Sequence, residues 1–200
     1  MLLESLKSVG FKHEEINAVV LSHLHFDHAG GCLSEYNSEK QSTLLFPNAT
    51  YYVSKTHWER AIKPHPRDRA SFVPLLNELL EKSGRLKLVD DSGMCDLNPL
   101  VTFTFSQGHT PGLMISIIHL PDGPLLFVSD LIPGFPWVHV PISMGYDRYP
   151  ELVIDEKQKL LSDMLSQNTK LFFTHDVVHP IGLLKKDDKG RFFTEPYTYN

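Results

Sequence analysis

The 200-residue chain has few of the features that mark secreted, membrane or nucleic-acid-binding proteins. Its two cysteines, Cys32 and Cys95, are too few for a disulfide framework and indicate reduced thiols. No apolar run approaches the roughly 18 residues of a membrane-spanning helix, and the first residues lack the order of a signal peptide. The net charge of −5 provides no basic surface for nucleic acid. We therefore predict a cytoplasmic protein with neither a membrane nor a nucleic-acid partner.

Histidine, by contrast, is abundant: the chain contains 11, and they are unevenly distributed along it. The stretch "LSHLHFDHAGG" (21–31) places three histidines and one aspartate within six positions. Neither the solubility of a loop nor the packing of a core requires imidazoles at this density. We interpret His23, His25, Asp27 and His28 as candidate metal ligands.

The hydrophobic pattern predicts a single α/β domain over residues 1–200 with mixed sheets. Strands are predicted over 16–22, 49–54, 85–90, 100–106, 113–120, 124–130 and 170–176, followed by a hairpin within 181–196. Helices are predicted before Gly10 and over 55–62, 68–84 and 150–168, and Pro74 either kinks the third of these or marks where its second part begins. The irregular alternation of helices and strands implies both hairpins and crossovers, and no repeat or linker interrupts it.

Further polar residues end three apolar strands. These are His109 in "SQGHTPG", Asp130 in "LLFVSD" and His175 in "LFFTH". Each of them alone is also typical of a structural histidine or a turn cap. Together with the first cluster they make five imidazoles and two carboxylates, which is too many for one tetrahedral zinc and suits two ions that share a carboxylate. The remaining histidines have no such company and are interpreted as surface or core residues.

The order H-x-H-x-D-H-x-G-G, then G-H-T-P-G, then an aspartate and a histidine that each close an apolar strand resembles the metallo-β-lactamase superfamily of dinuclear hydrolases. The stretches "FPNATYYVSKTHWERA", "LLFVSDLIP" and "FFTHD" are similar to the branch of quorum-quenching N-acyl-homoserine-lactone lactonases. This resemblance runs from about Ile16 to His175. It implies a four-layer αβ/βα sandwich with mixed sheets.

The resemblance divides the candidate ligands between two metals: His23, His25 and His109 at the first, Asp27, His28 and His175 at the second, and Asp130 as the bridge. Zinc is the favoured metal, with manganese or iron as alternatives. Asp27 is implied to orient the hydrolytic water and to protonate the leaving oxygen. Ser22, Ser106 or nearby backbone carbonyls are candidate hydrogen-bond partners of the ligand imidazoles.

Asp130 stands where β-lactamases of the commonest subclass have cysteine, so we do not expect β-lactam hydrolysis. Two departures qualify the resemblance. Leu113 follows the G-H-T-P-G motif where the family usually has histidine. Only residues 1–15 precede the first predicted strand, whereas relatives carry several strands and a helix there. We therefore expect an incomplete N-terminal part, in a chain that is a fragment, the product of an internal start codon or a natural short form. A short form needs a partner subunit, a swapped element or rearranged packing to cover the open sheet, and on this ground we expect a homo-oligomer.

The leading hypothesis is a hydrolase that opens an N-acyl-homoserine lactone or related ester, with Phe135, Trp137 and Met144 lining a pocket for the acyl chain. The alternative for these three side chains is ordinary core packing. One alternative function is thioester hydrolysis of the glyoxalase II type, although the short segment after His175 looks like a hairpin rather than the helical glutathione-binding region of those enzymes. Another is a truncated metal-binding remnant without robust catalysis.

Overall fold

Two β-sheets, each with its own apolar core, form the framework of the chain. They are seen in a computed structural model that describes residues 2–39, 41–97 and 99–198. The chain divides into two units, Met1–Asp90 and Asp91–Asn200. Each unit contains one of the sheets and is described by itself.

The first unit is built on three parallel strands in the order β1-β2-β3. Its elements are α1 (Leu2–Ser8), β1 (Ala18–Val20), α2 (Phe26–Ala29), β2 (Thr50–Ser54), α3 (Lys55–Ile62), α4 (Pro74–Lys82) and β3 (Leu86–Val89). Parallel neighbours cannot be joined by a tight turn, and α3 and α4 supply the crossover from β2 to β3. All three strands therefore end at the same edge of the sheet, and the histidine-rich segment follows β1 there.

Local signals in the sequence explain where the helices of this unit begin. Ser54 ends β2 and caps α3, because its hydroxyl accepts the His57 N–H at 3.3 Å. The helix predicted over 68–84 is wrong before Pro74, where only the 3-10 turn Arg69–Ser71 forms, and the alternative that Pro74 marks where the second part begins is confirmed: α4 begins there. Val73 is extended because a residue before proline avoids the helical region. On α4, Leu76 and Leu80 are four residues apart and fully buried in the core.

The second unit is built on a six-stranded mixed sheet in the order β4-β5-β6-β7-β8-β9. Its elements are β4 (Val101–Ser106), β5 (Leu113–Ile118), β6 (Leu125–Phe127), α5 (Pro150–Met164), β7 (Lys170–Phe172), β8 (Ile181–Lys186) and β9 (Phe192–Pro196). Neighbouring strands are antiparallel except β6 and β7, which α5 connects as a parallel crossover. The predicted hairpin is confirmed as β8 and β9.

Helix α5 packs on the core of the second unit with the apolar stripe predicted from its sequence. Leu161 is fully buried, and Leu160, Met164 and Leu165 pack against the same core. The mixed-sheet α/β class is thus confirmed. Among the described residues, no helix is long and apolar enough to cross a membrane.

The two cysteines are both free, and their environments differ. Cys32 is buried in the core of the first unit, and burial raises the pKa of its thiol to about 12. Only the thiolate attacks disulfide reagents, so at pH 8 we expect Cys32 to react with Ellman's reagent at least about 100-fold more slowly than the half-buried Cys95. Rates measured on Cys32→Ala and Cys95→Ala separate the two thiols, and equal rates would contradict the burial of Cys32.

Gly108 approaches α5 so closely that a side chain does not fit. A Cβ on Gly108 would lie 2.6 Å from both the backbone nitrogen and Cγ2 of Val153. We expect Gly108→Ala to lower the free energy of unfolding in urea by about 1–3 kcal/mol, because the backbone of α5 cannot yield. Gly30→Ala is the matched control: its φ is −59°, and among the described residues no atom beyond its chain neighbours and local helix backbone lies within 4 Å of the added Cβ. Equal losses in both variants would rule out the close approach as the cause.

Candidate metal centre

Three imidazoles of the first unit lie against one another just after β1. The ring centroid of His23 is 4.5 Å from that of His25 and 4.1 Å from that of His28. Helix α2 begins directly after His25 and carries Asp27, whose Oδ2 lies 3.4 Å from Nε2 of His28. His23 and His25 are buried, whereas 41% of the Asp27 side chain is exposed. The group therefore combines buried nitrogen donors with one carboxylate open to solvent.

The backbone between these ligands is fastened to helix α3. The N–H of Leu24 donates to Nε2 of His57 at 2.8 Å, and His57 is fully buried. Oγ of Ser22 lies 3.2 Å from Nδ1 of His23, so one of the candidate hydroxyl partners does contact a ligand ring. No motif marks the role of His57, because its partner is a backbone amide 33 positions away.

Asp130 is the centre of the second group, which lies wholly within the second unit. It sits in the short 3-10 turn Ser129–Leu131 just after β6 and is buried. Its Oδ2 is 3.4 Å from Nε2 of His109, and its Oδ1 is 3.2 Å from Nε2 of His175. Each carboxylate oxygen therefore faces a different imidazole, the arrangement expected of a carboxylate that joins two metal sites.

The loop that carries His109 is held by Glu156 of α5. The carboxylate of Glu156 accepts the Ser106 hydroxyl at 2.5 Å and the backbone N–H groups of Gln107 and Gly108 at 2.7 and 3.1 Å. Ser106, a candidate partner of a ligand imidazole, thus donates to a carboxylate instead. The sequence does not single out Glu156, since it lies 50 positions from Ser106 on an ordinary polar face of a helix.

Asp147 contacts the other side of the His109 ring. Its Oδ1 lies 2.9 Å from Nδ1 of His109, and its Oδ2 accepts the N–H of Met144 at 2.6 Å. Asp147 is buried. Sequence analysis missed this residue, although a lone acid in the aromatic and glycine-rich stretch before Pro150 is a signal that could have drawn attention to it.

Lys157 of α5 fastens the segment before Asp147. Its Nζ donates to the carbonyl of Trp137 at 3.0 Å, to that of His139 at 3.3 Å and to that of Ile142. The side chain is fully buried, and burial lowers the pKa of Lys157 to about 8. A buried ammonium is tolerated here because carbonyl oxygens replace water as its acceptors.

Asp176 ties together the two loops that carry Asp130 and His175. It accepts the N–H groups of Phe135 and His179 at 2.9 and 2.8 Å, and the His175 N–H donates to the carbonyl of Pro133 at 2.9 Å. Burial works to raise the pKa of Asp176, but its backbone N–H donors outweigh burial, so the pKa lies below its usual value. The last residue of the "FFTHD" motif, Asp176, therefore holds the loops next to the candidate ligand His175.

The side chains present fit divalent metal ions. Imidazole nitrogens and carboxylate oxygens are the donors preferred by zinc, manganese and iron in mixed N/O sites. The first unit brings together all four of its predicted ligands, and the second unit brings together all three of its own. That the two groups share one dinuclear centre stays a prediction.

The three residues predicted to line a substrate pocket lie in the loop after Asp130. Phe135 packs against Phe173, with ring centroids 5.2 Å apart, and Trp137 packs on the core of the second unit. Met144 is buried. Packing against the core accounts for the positions of Phe135 and Trp137, and the contact of these three residues with a substrate stays a prediction.

Known relatives of the chain carry a consistent description. The N-acyl homoserine lactonase AiiA of Bacillus thuringiensis subsp. kurstaki is 27% identical over 180 residues, covering 88% of this chain and 62% of the relative. The N-acyl homoserine lactonase AttM of Agrobacterium fabrum is 30% identical over 135 residues, covering 64% of this chain and 46% of the relative. The chain therefore spans less than two thirds of the length of these relatives.

Solved structures agree with the sequence relatives. AidC, described as a dizinc quorum-quenching lactonase in complex with a homoserine product, aligns with a TM-score of 0.78 and 26% identity, over 100% of this chain and 70% of AidC. A probable metal-dependent hydrolase from Staphylococcus aureus shares the fold with a TM-score of 0.82 and 21% identity, over 98% of this chain and 69% of that chain. Residues 1–175 match the profile of the Metallo-beta-lactamase superfamily, and the chain belongs to this superfamily.

Proposed function

We propose that the protein is a metal-dependent hydrolase that opens the ring of an N-acyl-homoserine lactone or a related ester. The observation that carries this proposal is the buried Asp130 carboxylate, whose two oxygens face the imidazoles of His109 and His175. Membership of the superfamily supports hydrolysis, and the names of the relatives favour a lactone as substrate.

In this proposal the chain forms one domain over residues 1–200, and the ligand groups of both units hold two divalent cations, preferably zinc. His23, His25 and His109 would hold the first, Asp27, His28 and His175 the second, and Asp130 would bridge them. The cytoplasmic location and the homo-oligomeric assembly stay predictions from the sequence.

The cations, when bound, would lower the pKa of water and polarise the carbonyl of the substrate. The remaining work falls to side chains of this chain. The side chain of Asp27 is 41% exposed, so water can reach its carboxylate: it would orient the attacking water, take its proton and return that proton to the ring oxygen as the acyl–oxygen bond breaks. The loop with Phe135, Trp137 and Met144 would receive the acyl chain.

Thioester hydrolysis of the glyoxalase II type is the less favoured alternative. The segment after His175 forms the β8–β9 hairpin rather than the helical region that binds glutathione in enzymes of that type. A lactone needs no such region.

The proposal is tested by metal analysis and turnover on the same preparation. The protein purified with zinc is expected to hold two ions per chain and to open homoserine lactones with acyl chains of several lengths. Asp130→Asn is expected to lower the zinc content and to reduce lactone opening by at least about 100-fold, since it removes the shared ligand. His119→Ala, an exposed histidine of the same unit, is the matched control and should change neither.

The outcomes distinguish the alternatives. Protein that holds no zinc would overturn the proposal that the activity is metal-dependent. Zinc-loaded protein that hydrolyses a glutathione thioester but no lactone would assign the alternative reaction. Zinc-loaded protein that turns over neither substrate would identify a metal-binding remnant.

A further inference from the structure

We propose that Asp147 is the positioning residue that fixes His109 in the tautomer able to bind a metal ion. The inference rests on the proposed metal-dependent function and extends it to a residue outside the seven ligands. Its evidence lies in the contacts on the two sides of one imidazole ring.

The His109 ring lies between two buried carboxylates. Nδ1 is 2.9 Å from Oδ1 of Asp147, which is a normal hydrogen-bond distance, whereas Nε2 is 3.4 Å from Oδ2 of Asp130. A neutral imidazole carries one N–H, and a carboxylate only accepts hydrogen bonds. The proton therefore belongs on Nδ1, where it is donated to Asp147. Nε2 keeps its lone pair and directs it to the side of Asp130, where the metal is proposed to bind.

Hydrogen bonds to the backbone fix the carboxylate of Asp147 in this orientation. Its second oxygen accepts the Met144 N–H at 2.6 Å, and its own N–H donates to the Met144 carbonyl at 3.1 Å. The preceding segment is fastened by the Lys157 ammonium through three backbone carbonyls. Both oxygens are thus assigned to fixed donors, and the acceptor that faces Nδ1 is held in place by the backbone rather than by rotamer preference.

This arrangement makes an unusual prediction for Asp147→Asn, which preserves shape and volume. The Met144 N–H still demands an acceptor, so the amide oxygen of the new side chain is expected to face it. The amide NH₂ then faces Nδ1 of His109 and donates to it. That donation moves the ring proton to Nε2, and a protonated Nε2 cannot bind a metal ion. Asp147→Ala, by contrast, removes the acceptor without imposing the wrong tautomer.

The two variants should therefore rank in opposite orders for stability and for metal affinity. In urea unfolding, Asp147→Asn should be closer to the wild type than Asp147→Ala, because it fills the same space. In zinc affinity, measured by competition with a chromogenic chelator, Asp147→Asn should lose about 100-fold and Asp147→Ala about tenfold at the site that His109 is proposed to complete. A role in packing alone would give the same order in both measurements.

A spectroscopic readout tests the cause directly. Long-range ¹H–¹⁵N spectra of the chelator-treated proteins should show the ring proton of His109 on Nδ1 in the wild type, on Nε2 in Asp147→Asn, and as a mixture in Asp147→Ala.

Asp68→Asn is the control for the measurements of stability and zinc affinity. Asp68 is also buried and pairs with Arg60 at 2.7 Å, so this variant should be less stable than the wild type and bind zinc equally well.

Zinc affinity in Asp147→Asn equal to that of the wild type, or higher than in Asp147→Ala, would overturn the inference. Should Asp147→Asn fail to fold, an unchanged Nδ1–H tautomer in Asp147→Ala would overturn it as well. These results are independent of lactone turnover. Wild-type protein that binds two zinc ions but opens no lactone would refute the substrate proposal and leave the Asp147 test intact.

Discussion

An imidazole binds a metal ion through one of its two ring nitrogens, and a hydrogen bond from the protein to the other nitrogen fixes the orientation of the ring. The candidate site depends on this second contact. His109 has Asp147 on its Nδ1 side, and His23 has the Ser22 hydroxyl near its Nδ1. The nitrogens of His109 and His175 that face the shared carboxylate of Asp130 are both Nε2. Orientation of the rings, more than the choice of residue type, is what turns a histidine-rich sequence into a metal site.

The same logic extends to the backbone, because ligands on loops need rigid support. Helices provide it in both units through side chains that hold the main chain of the ligand loops. His57 of α3 accepts a hydrogen bond from the backbone N–H between His23 and His25. Glu156 of α5 accepts hydrogen bonds from the two backbone N–H groups just before His109. Each contact ties a loop to an element whose own position is set by apolar packing, so the cores stabilise the ligand geometry indirectly.

The grouping of the candidate ligands within each unit could be predicted from the sequence, because they follow apolar strands and a strand delivers the residues after it to one edge of a sheet. Their supports could not, since Asp147 and Glu156 act across 38 and 50 positions and match no local pattern. Helix α4 shows a different limit: the sequence left open whether Pro74 kinks a helix that starts at residue 68 or begins its second part, and in the structure α4 begins at that proline. Local patterns in the sequence therefore predict the elements and the candidate ligands, whereas the side chains that hold the ligand loops depend on tertiary contacts.

The proposed function requires that the seven candidate ligands hold two cations joined by Asp130. Anomalous X-ray scattering at the zinc edge, from crystals of zinc-loaded protein, tests it most directly. The account predicts two peaks about 3.5–4 Å apart, each within bonding distance of a different oxygen of Asp130. A single peak, or a pair of peaks of which neither contacts Asp130, would contradict it.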